Sequence, residues 1–150
     1  VPPFAADLAR LEWARMQVFT ASDAHVLALG DLRHLAPDDW PALRLRVIPA
    51  LTLLELHWPA HEIWAAEGDP SAQNWDPAPT LLRVWRDESR VYHTRVDAAE
   101  YAALGALRAG TTFGDVCAAL APVSSEERVA EDAGALLLRW IEDHVLVAAP

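Results

Sequence analysis

Residues 80–96 read TLLRVWRDESRVYHTRV and alternate between apolar and polar side chains on both sides of a polar centre. The alternation runs from Thr80 to Arg86 and again from Arg90 to Val96, which is the period of a β-strand. The intervening Asp-Glu-Ser at 87–89 has the composition of a turn. The stretch therefore predicts a β-hairpin.

Downstream of the hairpin, three motifs predict three helix starts. In each motif a capping oxygen precedes an acidic side chain by three positions, which is the spacing of a capping box. The pairs are Asp97 with Glu100, Thr112 with Asp115, and Ser124 with Glu127. Gly110 is expected to end the first helix, the third helix is expected over 125–143, and 145–148 predicts a short strand. Together these elements predict a winged-helix-like module.

Upstream of the hairpin, the pattern predicts a helix followed by extended segments. The spacing of Leu8, Leu11, Met16 and Phe19 predicts an amphipathic helix that ends near Thr20. Alternation over 43–48 predicts a strand, 51–58 a second extended segment, and Pro59 the start of a short helix.

Residues 67–79, EGDPSAQNWDPAP, contain three prolines and a glycine and predict a linker loop. We therefore expect an α+β fold with a helical and extended segment at 1–66, a linker at 67–79 and the winged-helix-like module at 80–150.

The charge of the chain argues against binding to polyanions. The sequence has 22 acidic and 12 basic residues, a net charge of −10 and a pI near 4.9, and every basic residue is arginine. Nucleic acids and anionic membranes attract clustered positive charge. A hydrophobic content of 53% is enough for a packed core.

Cys117 is the single cysteine, so neither an internal disulfide nor a cysteine-based zinc site is expected. No apolar run approaches the length of a membrane span. These features favour a cytoplasmic protein. Because the chain begins at Val1 without a methionine, we expect it to be a fragment.

No active site is expected. His57 and His61 have the spacing of two metal ligands on a helix, but Pro59 lies between them, so surface or interface histidines are favoured over a metal site. Adjacent acidic pairs such as Asp38 and Asp39 are typical of caps and solvated faces. We therefore predict no enzyme activity, no metal and no cofactor.

Two binding functions remain open at this point. The winged-helix pattern suggests a DNA-binding regulator, but the segment 112–120 offers no Arg, Lys, Asn or Gln to a base edge. The hairpin instead carries four arginines against Asp87 and Glu88. Its edge strand could accept an extended peptide, or the arginines could simply keep an exposed edge soluble.

The residues from Leu81 to Ala148 resemble the PqqD-like peptide-recognition domain of ribosomal peptide biosynthesis. The resemblance rests on VWR at 84–86, DAAE at 97–100, AGTT at 109–112 and the ending WIEDHVLV at 140–147. The upstream strings FAADLARLEWA at 4–14, PDDW at 37–40, LRLRVIPA at 43–50 and WP at 58–59 resemble the HvfC/BufC family, which includes relatives of the methanobactin partner protein MbnC.

This resemblance implies a non-catalytic partner subunit that holds the leader of a precursor peptide. Its partner would be a TIM-barrel enzyme with two or three iron ions that oxidatively modifies cysteines. The family usually has a helical domain before the segment seen here. The implied peptide contacts are Val91, Tyr92, His93, Thr94, Arg95, Leu137 and Trp140, and the expected enzyme-facing residues are Trp40, Trp58, Trp64 and Trp75, for which core packing is the alternative.

Overall fold

The structure, a computed structural model, describes residues 1–149. Helices and antiparallel strands in two small sheets confirm the expected α+β class. The helices are α1 (Ala5–Thr20), α2 (Ala60–Ala65), α3 (Ala98–Leu107), α4 (Phe113–Leu120) and α5 (Val129–Glu142). The strands are β1 (Arg44–Val47), β2 (Leu51–Leu56), β3 (Thr80–Asp87), β4 (Arg90–Arg95), β5 (Thr111–Thr112) and β6 (Leu146–Ala148). Short 3₁₀ turns cover Leu29–Leu32, Pro37–Ala42 and Pro70–Ala72.

The chain divides into two compact units, and each is built from two separate segments. The first unit comprises Val1–Ala21 and Ala50–Asp97, and the second comprises Ser22–Pro49 and the chain from Ala98 onward. This division does not follow the boundary expected at 67–79, and the module expected over 80–150 is split between the units. The reason is long-range pairing: β2 joins the hairpin, whereas β1 pairs with β5 and β6.

The first unit is an antiparallel sheet with the order β2-β3-β4 and with α1 packed on one face. The hairpin is present as predicted, with Trp85 opposite Tyr92 and Asp87 opposite Arg90. The buried cluster combines residues of α1, α2 and the sheet. Its members are Leu11, Ala14, Val18, Leu56, Ala60, Leu82 and Val84.

The buried face of α1 agrees only in part with the sequence prediction, because Leu11 is buried as expected but Met16 and Phe19 are not. Its buried side includes Leu11, Ala14 and Val18, whereas Met16 and Phe19, expected on the apolar face, are exposed. Trp13 is 64% exposed on the same outward side. The helix therefore has a second apolar face, formed by Trp13, Met16 and Phe19, which we call the outer face of α1.

The second unit combines the sheet β5-β1-β6 with α3, α4 and α5. The predicted capping box at α4 is confirmed, because Thr112 Oγ1 accepts a hydrogen bond from the Asp115 backbone N–H. Hydrogen bonds from the hydroxyls of Thr111 and Thr112 lower the pKa of Asp115 to about 2.

The start of α5 differs from its prediction. The helix begins at Val129 with Arg128 at the N-cap, so the Ser124 and Glu127 motif does not start it. Ser124 Oγ instead donates to the Asp132 carboxylate at 2.7 Å, within the first turn of the helix. No helix among residues 1–149 is long and apolar enough to cross a bilayer.

Candidate functional site

The strand β4 forms one edge of the first sheet. It pairs with β3 on one side, and no strand within residues 1–149 pairs with its other side. Val96 N–H donates to Leu81 O just beyond β4, and hydrogen-bonded pairs alternate along an antiparallel ladder. The backbone groups of Val91, His93 and Arg95 therefore point away from β3, along the open edge.

Side chains alternate across β4 between the two faces of the sheet. Val91 packs against the buried cluster beneath α1, which places His93 and Arg95 on the same face. Tyr92 lies on the opposite face, half-exposed, and its ring stacks on Trp85 with centroids 5.4 Å apart. The edge thus has one face beside α1 and α2 and one aromatic face.

Two of the four hairpin arginines have structural contacts. Arg83 is 2% exposed and lies 4.1 Å from the ring centroid of Trp85. Arg86 donates to the carbonyls of Val18 and Ala21 at 3.0 and 2.8 Å, at the C-terminal end of α1. Arg83 and Arg86 therefore stabilise the first unit. Arg90 and Arg95 are exposed.

Arg15 of α1 adds a cation to this edge that the sequence did not predict. Its Nη1 donates to His93 Nδ1 at 2.8 Å, and its Nη2 donates to the outward carbonyl of Val91 at 3.4 Å. The guanidinium lies 4.4 Å from the ring centroid of Trp64, and that ring meets His93 edge-on at 5.1 Å. We call Arg15, Trp64 and His93 the Arg15 cluster.

The Arg15 cluster holds His93 in its neutral form. A guanidinium can only donate, so Nδ1 of His93 must be the acceptor and the ring proton lies on Nε2. Burial lowers the pKa of His93, and the charges of Arg15 and His61 lower it further. Burial likewise lowers the pKa of His61; Arg95 acts in the same direction and Glu62 in the opposite one.

Leu137 and Trp140 do not lie on an accessible surface, which corrects the expectation that they contact a peptide. They are 3% and 0% exposed within α5 of the second unit. Trp140 Nε1 donates to Glu100 Oε1 at 3.0 Å, and Glu100 is itself buried. Both side chains belong to the core, because the apolar face of α5 packs inward.

The four tryptophans expected at an enzyme interface have different surroundings. Trp40 meets Phe113 edge-on in the second unit, and Trp58 meets Phe4 edge-on in the first. Trp75 Nε1 donates to a carbonyl in its own loop. Trp64, 43% exposed, is the most accessible of the four, although Arg15 and His93 contact its ring. Their assignment to an interface stays a prediction.

The two histidines considered as metal ligands do not share a helix. The helix α2 begins at Ala60, so His57 lies outside it, and the backbone N–H of His57 donates to Asp7 at 2.7 Å. In the described part of the chain, no three His, Cys, Asp or Glu side chains are grouped so that they could hold a metal ion. Burial raises the pKa of Cys117.

Comparisons with known proteins identified no relative of this chain. Neither the scan against protein-family models nor the search of curated proteins found a match to this chain.

Proposed function

We propose that this chain is a non-catalytic subunit that captures the leader of a precursor peptide and presents it to a TIM-barrel iron enzyme. The observation that carries this proposal is the open edge of β4. Val91, His93 and Arg95 direct backbone donors and acceptors outward there, which is the surface that strand addition requires. The resemblance to the HvfC/BufC family supplies the enzyme class.

The edge at β4 suits an added strand better than the edge at β2. On β2, Leu51 is buried and Glu55 is an exposed acid. On β4, the half-exposed Tyr92 offers an aromatic surface and Arg95 an exposed cation. A leader strand would form backbone hydrogen bonds with β4 and place alternate side chains on its two faces.

The outer face of α1 supports the second half of the proposal, a protein partner. Trp13, Met16 and Phe19 are large apolar side chains that are all more than half exposed. Exposed apolar patches of this kind are typical of protein–protein contacts, and tryptophan is favoured at the centre of such contacts. We propose that the iron enzyme covers this face.

The backbone role of β4 is tested with His93→Pro and His93→Ala. Both variants lose the imidazole, but only proline also removes the outward N–H, which makes no bond to β3. We expect His93→Pro to weaken leader binding by up to about tenfold relative to His93→Ala, since 1.4 kcal/mol is tenfold and a lost hydrogen bond costs about 0.5–1.5 kcal/mol.

The probe is a synthetic leader, taken from a short cysteine-bearing peptide where a neighbouring gene encodes one, and its binding is measured by fluorescence anisotropy. Circular dichroism establishes that both variants fold. Equal affinity of two folded variants would rule out strand addition at β4. Co-purification of the chain with a TIM-barrel iron enzyme, lost in Met16→Glu, tests the partner surface separately.

A further inference from the structure

The face of β4 that lies beside α1 and α2 gathers nitrogen donors and cations from three elements. Arg15 comes from α1, His61 from α2, and His93 and Arg95 from β4. Arg15 Nη1 lies 2.8 Å from His93 Nδ1, and Arg15 and His61 both disfavour the charged form of His93, as Arg95 does for His61. This concentration occurs in a chain whose net charge is −10.

The carboxylate that meets this group makes only a loose contact. Glu62 Oε1 lies 3.6 Å from His61 Nε2, and the Glu62 side chain is largely exposed. Arg15 itself is bonded to the neutral ring of His93 and to the Val91 carbonyl. A carboxylate would add the attraction of an opposite charge and could accept two parallel N–H bonds from the guanidinium, which the neutral His93 ring and the Val91 carbonyl do not offer. The site therefore favours a carboxylate over the partners that Arg15 now has.

Arg15 also occupies a backbone acceptor that an added strand needs. Its bond to the Val91 carbonyl is long, at 3.4 Å, and this carbonyl points along the open edge. A strand that adds to β4 would compete with this bond for the Val91 carbonyl. A carboxylate on that strand would give the displaced guanidinium a better partner, while the ring of Trp64 shields one side of it from water.

We infer that the strand accepted by β4 carries an aspartate or glutamate that faces α1, and that Arg15 binds this carboxylate. This inference rests on the proposed function, because it presupposes strand addition at β4. The incoming carboxylate replaces His93 as the partner of Arg15, and the Val91 carbonyl becomes free to accept a peptide N–H. Binding of the acidic side chain by Arg15 and pairing of the peptide backbone with β4 would therefore favour each other.

The test is selection of random decapeptides displayed on phage against the immobilised full chain of 150 residues. Selections are run in parallel on the unsubstituted chain, on Arg15→Gln and on Arg90→Gln. Arg90→Gln is the matched control, because it removes an exposed arginine of the same strand whose side chain belongs to the opposite face.

We expect peptides selected on the unsubstituted chain to carry Asp or Glu at one fixed position. This preference should persist with Arg90→Gln and disappear with Arg15→Gln. For one selected peptide, replacing its acid by the amide should lower affinity by about tenfold, in line with the loss of a charged hydrogen bond. The peptide substitution needs no protein variant, so it remains decisive if Arg15→Gln fails to fold.

The other outcomes overturn the inference in distinguishable ways. Selected peptides without a preferred acid, whose binding is still lost with His93→Pro, would refute the carboxylate and leave strand addition standing. An acid preference that survives in Arg15→Gln would refute the role of Arg15. If no peptide is selected at all, both the inference and the proposed function fail.

Discussion

Asp7 holds the first turn of α1 to the chain that follows β2. It is 6% exposed, and its Oδ2 accepts the backbone N–H groups of His57 and Trp58 at 2.7 and 3.0 Å. We expect Asp7→Ala to lower the free energy of unfolding by about 2–3 kcal/mol, because it leaves two part-buried donors without an acceptor. Urea denaturation followed by circular dichroism measures this loss.

Glu12→Ala is the matched control for Asp7→Ala, since it also removes an acid from α1, at an exposed position. It should change the free energy of unfolding by no more than about 0.5 kcal/mol. If the two variants had equal stability, the Asp7 bonds would contribute nothing to the fold.

Single residues could be predicted from the sequence where their partners are local. Thr112 and Asp115 cap α4 as the motif predicts, because both partners lie within one turn. Arg15 could not be predicted, since its partners Val91 and His93 are more than seventy positions away. The strand β4 could therefore be predicted from its alternation. The contact that Arg15 of α1 makes with it could not, because nothing in the sequence around Arg15 indicates that contact.

At the scale of one element, the hairpin turn contains a strained residue. Glu88 has a φ of +51° at the first loop position, while Ser89 is not among the residues with positive φ. Glycine is favoured at this position of a two-residue hairpin loop. We expect Glu88→Gly to raise the free energy of unfolding by about 0.5–1 kcal/mol, because it relieves a left-handed conformation that costs roughly 1–2 kcal/mol.

Ser89→Gly is the comparison for the hairpin turn. It adds a glycine where no positive φ has to be relieved, so it should lower the melting temperature, whereas Glu88→Gly should raise it. A lower melting temperature for both variants would show that backbone strain at Glu88 does not limit stability.

The helix α1 shows why an element can be predicted while its orientation is not. Its length follows from the sequence, but apolar side chains occur around most of its circumference, so periodicity alone does not decide which face is buried. The structure buries Leu11, Ala14 and Val18 and exposes Trp13 and Met16. The sheet decides the orientation, because Leu82 and Val84 of β3 meet the smaller side chains.

At the scale of the whole chain, strand partners were the least predictable feature. The sequence predicts a strand over 43–48 and an extended segment over 51–58, but the two belong to different units, which meet in the chain between Pro49 and Ala50. Leu51 pairs opposite Trp85, and Leu45 opposite both Thr111 and Ala148. Pairing between strands so far apart in the sequence depends on packing that no local pattern encodes. The module expected over 80–150 is therefore divided between the two units.

Two histidines make the stability of the whole chain depend on pH. His61 and His93 have pKa values below the usual 6.5 in the folded chain, chiefly through burial. The groups facing them are Arg15 on α1, Glu62 on α2 and Arg95 on β4. Below pH 6.5 the unfolded chain therefore binds more protons at these histidines than the folded chain does. Their contribution to stability is complete above that pH and is lost as pH falls toward the folded pKa values.

We expect the free energy of unfolding to fall between about pH 7 and about pH 5, a window that lies above the carboxylate range and reports mainly histidine. Urea denaturation followed by tryptophan fluorescence at both values measures the fall. Asp69 and Asp115, whose pKa values are lowered by hydrogen bonds, lose their contribution only at lower pH.

The double variant His61→Gln, His93→Gln should show a smaller fall, because glutamine takes up no proton. An equal fall in the double variant would mean that groups other than His61 and His93 cause the loss of stability in acid.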